Sequence, residues 1–138
     1  MTVGELATMN NKEFFPHQEK KKADLHVVKM NGWVQHQRFD ETGWPWVMPS
    51  PNIPTLETAT AYPGLGLIEG TNLSDGRGTS RPFELVGAPY IEGWKLAGVL
   101  NRLGLEGVRF REAYFTPVFS KYKDQPVGGI QIYVTDSR

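Results

Sequence analysis

Residues 92–103 read Glu92-Gly93-Trp94-Lys95-Leu96-Ala97-Gly98-Val99-Leu100-Asn101-Arg102-Leu103. Leu96, Val99, Leu100 and Leu103 fall at i, i+3, i+4 and i+7, the spacing that gathers apolar side chains on one face of a helix. Gly104 follows where a helix commonly stops with a left-handed residue. Downstream, residues 108–115 and 129–135 read as strands. In the second, Ile130, Ile132 and Val134 alternate with Gln131 and Tyr133, so the two sets face opposite sides of a sheet. Helical and strand signals that alternate in this way predict an α/β or α+β domain. The expected form is a mixed sheet with flanking helices and long ordered loops; 15 Gly and 10 Pro supply the turns.

Upstream, the signals are shorter. Thr2 and Glu5 have the spacing of a capping box, and Val3, Leu6 and Ala7 give the following helix an apolar stripe. Residues 23–30, with Leu25, Val27 and Val28, read as a strand. Residues 33–54 contain Trp44-Pro45-Trp46 and Pro49-Ser50-Pro51-Asn52-Ile53-Pro54. Proline breaks ladders and helix interiors, which leaves an ordered extended loop, and loops of such length tend to carry function. Residues 54–60 form a short helix with Thr55 as its cap. Residues 65–68 and 83–86 are short strand candidates on either side of a polar loop, 70–81. A helix that begins at residue 2 has no preceding strand to pack on, and a strand runs nearly to Arg138. The chain is therefore expected to be a portion of a longer protein.

The 138 residues fit one domain. The formal charge is zero, so no general field steers the chain toward nucleic acid or an anionic membrane. The one basic run, Lys20-Lys21-Lys22, is flanked by Glu19 and Asp24 and reads as a solvated loop. The absence of cysteine excludes disulfides, zinc–thiolate sites and thiol nucleophiles. No run approaches the ~18 apolar residues of a membrane span, and Met1-Thr2-Val3-Gly4-Glu5 is not a signal peptide. His17, His26 and His36 lack ligand spacing, so no metal is expected. No cofactor is implied. Gly64-Leu65-Gly66-Leu67-Ile68-Glu69-Gly70 has one residue too many for a dinucleotide fingerprint and no strand before it. Neither a Walker ending nor a Gly-x-Ser-x-Gly elbow occurs.

Chemistry concentrates in Glu69-Gly70-Thr71-Asn72-Leu73-Ser74-Asp75-Gly76-Arg77-Gly78-Thr79-Ser80-Arg81-Pro82-Phe83-Glu84. A carboxylate precedes a loop of glycines, hydroxyls, an amide and two arginines. Glycines let backbone N–H groups approach a ligand, and the arginine fork suits a carboxylate or phosphate. The alternative is an internally satisfied turn, with Glu69 or Glu84 paired to Arg77 or Arg81 and with Asn72 and Ser74 holding the chain. Trp33, Trp44 and Trp46 can stack on sugar faces or plug the core beneath their loop.

Trp46-Val47-Met48-Pro49-Ser50-Pro51-Asn52-Ile53-Pro54-Thr55 closely resembles a signature of a bacterial family of exo-β-N-acetylmuramidases of the NamZ type. So do Tyr62-Pro63-Gly64, Glu69-Gly70-Thr71-Asn72, Gly76-Arg77-Gly78-Thr79 and Arg81-Pro82-Phe83-Glu84. Gly87-Ala88-Pro89 and Phe115-Thr116-Pro117 extend the likeness over nearly the whole chain. Ser80 stands where Thr is common and Asp75 where Glu is common; both keep the chemistry.

The resemblance implies a glycoside hydrolase that releases N-acetylmuramic acid from non-reducing ends of peptidoglycan fragments. It places residues 1–138 in the C-terminal portion, after a Rossmann-like domain that carries a principal catalytic carboxylate. It implies a periplasmic or secreted location, which the chain itself does not reveal. N-acetylmuramic acid carries a lactyl carboxylate, and selecting for it calls for a positioned cation. Arg77 and Arg81 are the candidates. Thr71, Asn72, Ser74, Glu84, Trp46 and Asn52 complete the expected substrate-binding set, and Glu69 is the expected second carboxylate of a glycosidase pair. The competing readings are a non-catalytic domain for carbohydrate or muropeptide binding or assembly, and a sugar-phosphate or nucleotide binder built on the Gly/Arg loop.

Overall fold

The computed structural model describes residues 1–18 and 21–137; Glu19 and Lys20 of the basic run, and Arg138, lie outside the described residues. The chain forms two compact units, Met1–Thr42 and Gly43–Arg138.

In the first unit the capping box forms as the sequence predicts. The Thr2 N–H donates to Glu5 Oε2 (2.7 Å), and Thr2 Oγ1 accepts from the Glu5 N–H (3.1 Å). These bonds start helix α1 (Val3–Met9). They favour the charged carboxylate, and the backbone bond from Thr2 above all holds the Glu5 carboxyl below its ordinary value. A π-helical turn (Asn10–Phe14) leads into α2 (Phe15–His17). The expected strand at 23–30 is absent, and these residues are exposed coil. β-branched content does not make a strand without a partner edge. Here the Asn11 side chain takes that place at Ala23: its Nδ2 donates to the Ala23 carbonyl (2.9 Å) and its Oδ1 accepts the Ala23 N–H (2.7 Å).

The second unit begins with the extended proline-rich loop and then helix α3 (Leu56–Leu65). Thr55 is its cap, with Oγ1 accepting the Thr58 N–H (3.2 Å). The helix outruns the expected end at residue 60 by passing through Pro63. The chain then tightens into a 3-10 turn (Gly66–Gly70), so the strand expected at 65–68 does not form. Leu65 and Ile68 pack on the core while Leu67 is 80% exposed. That is one helical face at i, i+3, not a period of two.

Strand β1 (Leu85–Ala88) lies two residues beyond the expected 83–86, because Phe83 sits in a turn at φ 58°. Helix α4 (Gly93–Arg102), strand β2 (Val108–Phe115) and strand β3 (Val127–Val134) follow the sequence expectation closely. Gly104 adopts φ 63° just past α4, as a stop residue should. The sheet order is β1-β3-β2 with both pairings antiparallel. The fold is thus mixed α and β, with helices flanking a three-stranded sheet.

Pairing register divides the sheet into two faces. Val86 pairs with Ile130, and Phe110 with Ile132, on the face that α4 covers. There Val86, Ala97 and Ile130 form the buried centre, with Leu96 and Leu100 packed against it. Val99 and Leu103, the other half of the helical stripe, are 49% and 61% exposed. Close approach is needed at Gly129, where a Cβ would collide with the Val86 carbonyl oxygen. On the opposite face, Leu85, Gln131 and Arg111 stand in one row across the three strands.

Candidate functional site

The polar loop binds itself first. Asp75, 1% exposed, receives Arg77 from two directions: Nε donates to Oδ1 (3.2 Å) and Oδ2 (3.1 Å), and Nη2 lies 2.9 Å from Oδ2. The Arg77 backbone N–H also donates to Asp75 Oδ1 (3.1 Å). Arg77 Nη2 reaches Glu69 Oε1 at 2.9 Å, and the guanidinium lies over the Phe83 ring, 5.9 Å from its centroid. The hydrogen bonds to Asp75, more than those to Glu69, push the Arg77 pKa up, against the effect of burial. One guanidinium therefore serves two carboxylates.

Glu84 is the second buried carboxylate, 4% exposed. Buried Thr58 Oγ1 donates to its Oε1 (2.7 Å), and Arg81 Nη1 donates to its Oε2 (3.2 Å). Ser74 is 1% exposed, with Oγ accepting the Gly76 N–H (3.3 Å). Its backbone forms a bridge to Gly87, which fastens the loop to β1. Thr71 Oγ1 donates to the Ile68 carbonyl (2.8 Å) and accepts the Leu73 N–H (3.1 Å). Among the described residues, no buried side-chain nitrogen or oxygen lacks a hydrogen-bond partner.

Sequence reasoning missed how the loop is held from below. Lys121 Nζ donates to the carbonyls of Glu69 (2.7 Å), Thr71 (2.6 Å) and Leu73 (3.1 Å), with Ile68 at 3.4 Å. The Tyr122 hydroxyl donates to the Asn72 carbonyl at 2.5 Å. Desolvation, then Tyr90, raises the Tyr122 pKa. Both residues lie about fifty positions along the chain from their partners, so no local pattern announces the contact.

The space for a ligand lies beside the loop, on the sheet face opposite α4. An open cleft of about 850 Å³ has Leu85, Gln131 and Arg111 among its lining residues. Gly78, Thr79, Ser80 and Arg81 line it from the polar loop, and Phe115, Val118 and Phe119 from the segment after β2. Its volume suits a small ligand. Gly78 joins these two walls. At φ 86° its carbonyl accepts the Val118 N–H (2.9 Å), and a Cβ would strike the Phe119 carbonyl oxygen.

Of the expected site residues, Arg81 alone lines this cleft. Glu69 and Arg77 come together around Asp75, and Glu84 joins Arg81. Trp46 Nε1 donates to the Pro54 carbonyl (3.0 Å), and the Asn52 N–H donates to Ser50 Oγ (3.2 Å), both within the proline-rich loop. Arg111 and Gln131 also line the cleft and were not among the expected site residues; their pairing across β2 and β3 is set by register, which no local sequence pattern announces. Among the described residues, no three His, Cys, Asp or Glu side chains gather to hold a metal ion, and no helix is long and apolar enough to cross a membrane.

Known proteins resemble the chain along its length. The family model described as exo-beta-N-acetylmuramidase NamZ, C-terminal, matches residues 60–138, and its N-terminal counterpart matches residues 1–57. The sequence expectation of one C-terminal portion over 1–138 thus stands beside two matched regions. The peptidoglycan beta-N-acetylmuramidase NamZ of Bacillus subtilis (strain 168) is 54% identical over 136 residues, covering 99% of this chain and 32% of that protein. The chain accordingly spans about a third of that relative's length. A crystal structure of a DUF1343 family protein from Bacteroides fragilis superposes with a TM-score of 0.77 at 39% identity, over 97% of this chain and 34% of that one. A second protein of that family and organism gives 0.67 at 26% identity, over 95% and 33%.

Proposed function

The chain belongs to the exo-beta-N-acetylmuramidase NamZ family, and from that premise we propose that it is part of a glycoside hydrolase that releases N-acetylmuramic acid from the non-reducing ends of peptidoglycan fragments. The carrying observation is the cleft beside the polar loop, where Arg81 meets hydroxyls and an aromatic wall. Phe115 and Phe119 offer faces for a sugar ring, Thr79 and Ser80 offer hydroxyls, and Arg81 offers N–H donors for sugar oxygens. Arg77 stays in the proposal as the residue that holds Glu69 and Asp75 in place. Thr71, Ser74 and Glu84 brace the polar loop, and contact of Asn72, Trp46 and Asn52 with substrate is part of the same proposal.

Glycosidases commonly work with two carboxylates. Glu69 is proposed as one of them: its side chain is 56% exposed, and Arg77 fixes its orientation. The other belongs to an upstream Rossmann-like region of the same protein, so the chain alone turns over no substrate. Peptidoglycan-derived sugars or muropeptides are the proposed ligands, outside the membrane.

The test joins turnover to binding. The chain and the Bacillus subtilis relative are each given a chromogenic N-acetylmuramide, and the chain is titrated with N-acetylmuramic acid by NMR. Turnover by the relative only, with shifts of Thr79, Arg81 and Phe119 in the chain, is expected. Turnover by the chain near the relative's rate overturns the division of carboxylates, and an unmoved cleft overturns the binding site. A second reading, a carbohydrate-binding or assembly domain without catalysis, is favoured by one observation: Glu69 and Glu84 are both already ion-paired. Normal turnover by the relative when its residue aligned with Glu69 is changed to Gln favours that reading.

A further inference from the structure

We propose that Arg111, an exposed residue lining the cleft, is the residue that recognises a carboxylate on the bound sugar; this deepens the reading above and rests on it. Three guanidiniums lie in or near the cleft, and they differ in how their charge is met. Arg77 is shared by Asp75 and Glu69, and Arg81 is paired with Glu84. Arg111 is held by neutral groups. Its Nη2 donates to Gln131 Oε1 (2.7 Å) and its Nε to the Tyr133 hydroxyl (3.2 Å). The Tyr133 hydroxyl in turn donates to Gln131 Oε1 (3.0 Å), closing a ring of three bonds. Among the described residues, no carboxylate lies at ion-pair distance from this guanidinium.

That arrangement does two things. The side-on edge of the guanidinium, Nε and Nη2, is locked, so the group is oriented before any ligand arrives. The Nη1 group makes no hydrogen bond among the described residues and, with the remaining Nη2 proton, presents the end-on fork that fits a carboxylate. Neutral partners fix direction without cancelling charge, whereas a carboxylate partner would compete with the ligand. Gln131 and Tyr133 are positioning residues for this fork. β2–β3 register creates the site, since Arg111 and Gln131 are directly paired.

The ligand class is a sugar bearing one carboxylate, either on a lactyl ether or on the first residue of a peptide stem. The experiment titrates the chain by NMR with N-acetylmuramic acid, N-acetylglucosamine, the lactyl methyl ester and N-acetylmuramoyl-L-alanine. The wild type is expected to favour the free acid over N-acetylglucosamine by roughly ten- to a hundredfold. Arg111→Gln should bring the acid to the level of N-acetylglucosamine while leaving the latter unchanged. Arg111→Lys should restore part of the gain, because it keeps charge without the fork. Gln131→Leu should leave an intermediate preference, which separates orientation from charge.

A preference for the free acid over both the ester and the alanyl compound assigns the lactyl carboxylate; a preference for the alanyl compound over both the free acid and the ester assigns the peptide carboxylate. Undiminished preference in Arg111→Gln, or wild-type binding of both carboxylate-bearing sugars no tighter than of N-acetylglucosamine, overturns the role of Arg111 and leaves the cleft as a sugar site. Binding of no sugar overturns that site and this inference with it.

Discussion

Arg77 and Arg81 stand four residues apart in one loop and offer the same chemistry, yet their surroundings assign them different work. Arg77 neutralises Asp75, which is 1% exposed, so Arg77→Ala strands a buried charge. Breaking such a pair costs about 3–5 kcal/mol, and a fall of that size in unfolding free energy, read from denaturant or thermal melts, is expected. Arg81 is half exposed, and its buried partner Glu84 keeps the hydrogen bond from Thr58, so removing Arg81 should cost less than removing Arg77. Arg81→Ala should therefore melt between Arg77→Ala and the wild type while weakening sugar binding. Melting curves and sugar titrations of both variants check the division; a melting loss in Arg81→Ala as large as in Arg77→Ala, with full sugar binding, contradicts it. Thr58 extends the same logic, since it is fully buried and donates to Glu84. Thr58→Val keeps the shape and removes that bond, at a cost of about 1.5–3 kcal/mol read from the denaturant midpoint.

Elements, not single residues, decide where the loop sits. The ammonium of Lys121 gathers carbonyls from three points between Glu69 and Leu73, replacing the ladder bonds that an irregular segment lacks. Lys121→Met should leave α4 and the sheet intact but speed amide exchange across residues 69–74. Unchanged protection there refutes the assignment. Helix α1 supplies a pH dependence. The Glu5 carboxyl titrates below its unfolded value, so its contribution is complete above that value and disappears as pH falls through the folded one. Protection of the Glu5 and Leu6 amides, taken relative to their intrinsic exchange rates, should fall on acidification in that window, and a Glu5→Gln variant should show no such step.

At the scale of the whole molecule, stability is unevenly distributed. Every buried residue among those described belongs to Gly43–Arg138; the described residues of Met1–Thr42 are all at least partly exposed. Burial of apolar surface is the main favourable term in folding. Residues 43–138 expressed alone should therefore keep a cooperative melt and the dispersed NMR spectrum of the sheet, while residues 1–42 alone should lack both. Circular dichroism and NMR of the two pieces provide the check.

Local periodicity made several elements legible from sequence: the cap at Thr2, the cap at Thr55, helix α4 with its stop at Gly104, and strands β2 and β3. Each depends on neighbours within a few positions, where propensity and backbone geometry act directly. Ordered motifs over nearly the whole length carried the family. The failures share a cause. Residues 23–30 and 65–68 have strand-like composition, but a strand exists only when another backbone pairs with it, and Asn11 or a helical turn took that role. The site divides in the same way. A density of Glu, Arg and hydroxyls marks residues 69–84 by composition alone. Which arginines pair with carboxylates, which face the cleft, and that Arg111 stands beside Gln131 with no carboxylate among the described residues at ion-pair distance were decided only by tertiary structure. Burial of Asp75 and the register of β2 on β3 join residues distant in sequence, and electrostatics depends on those distances in space.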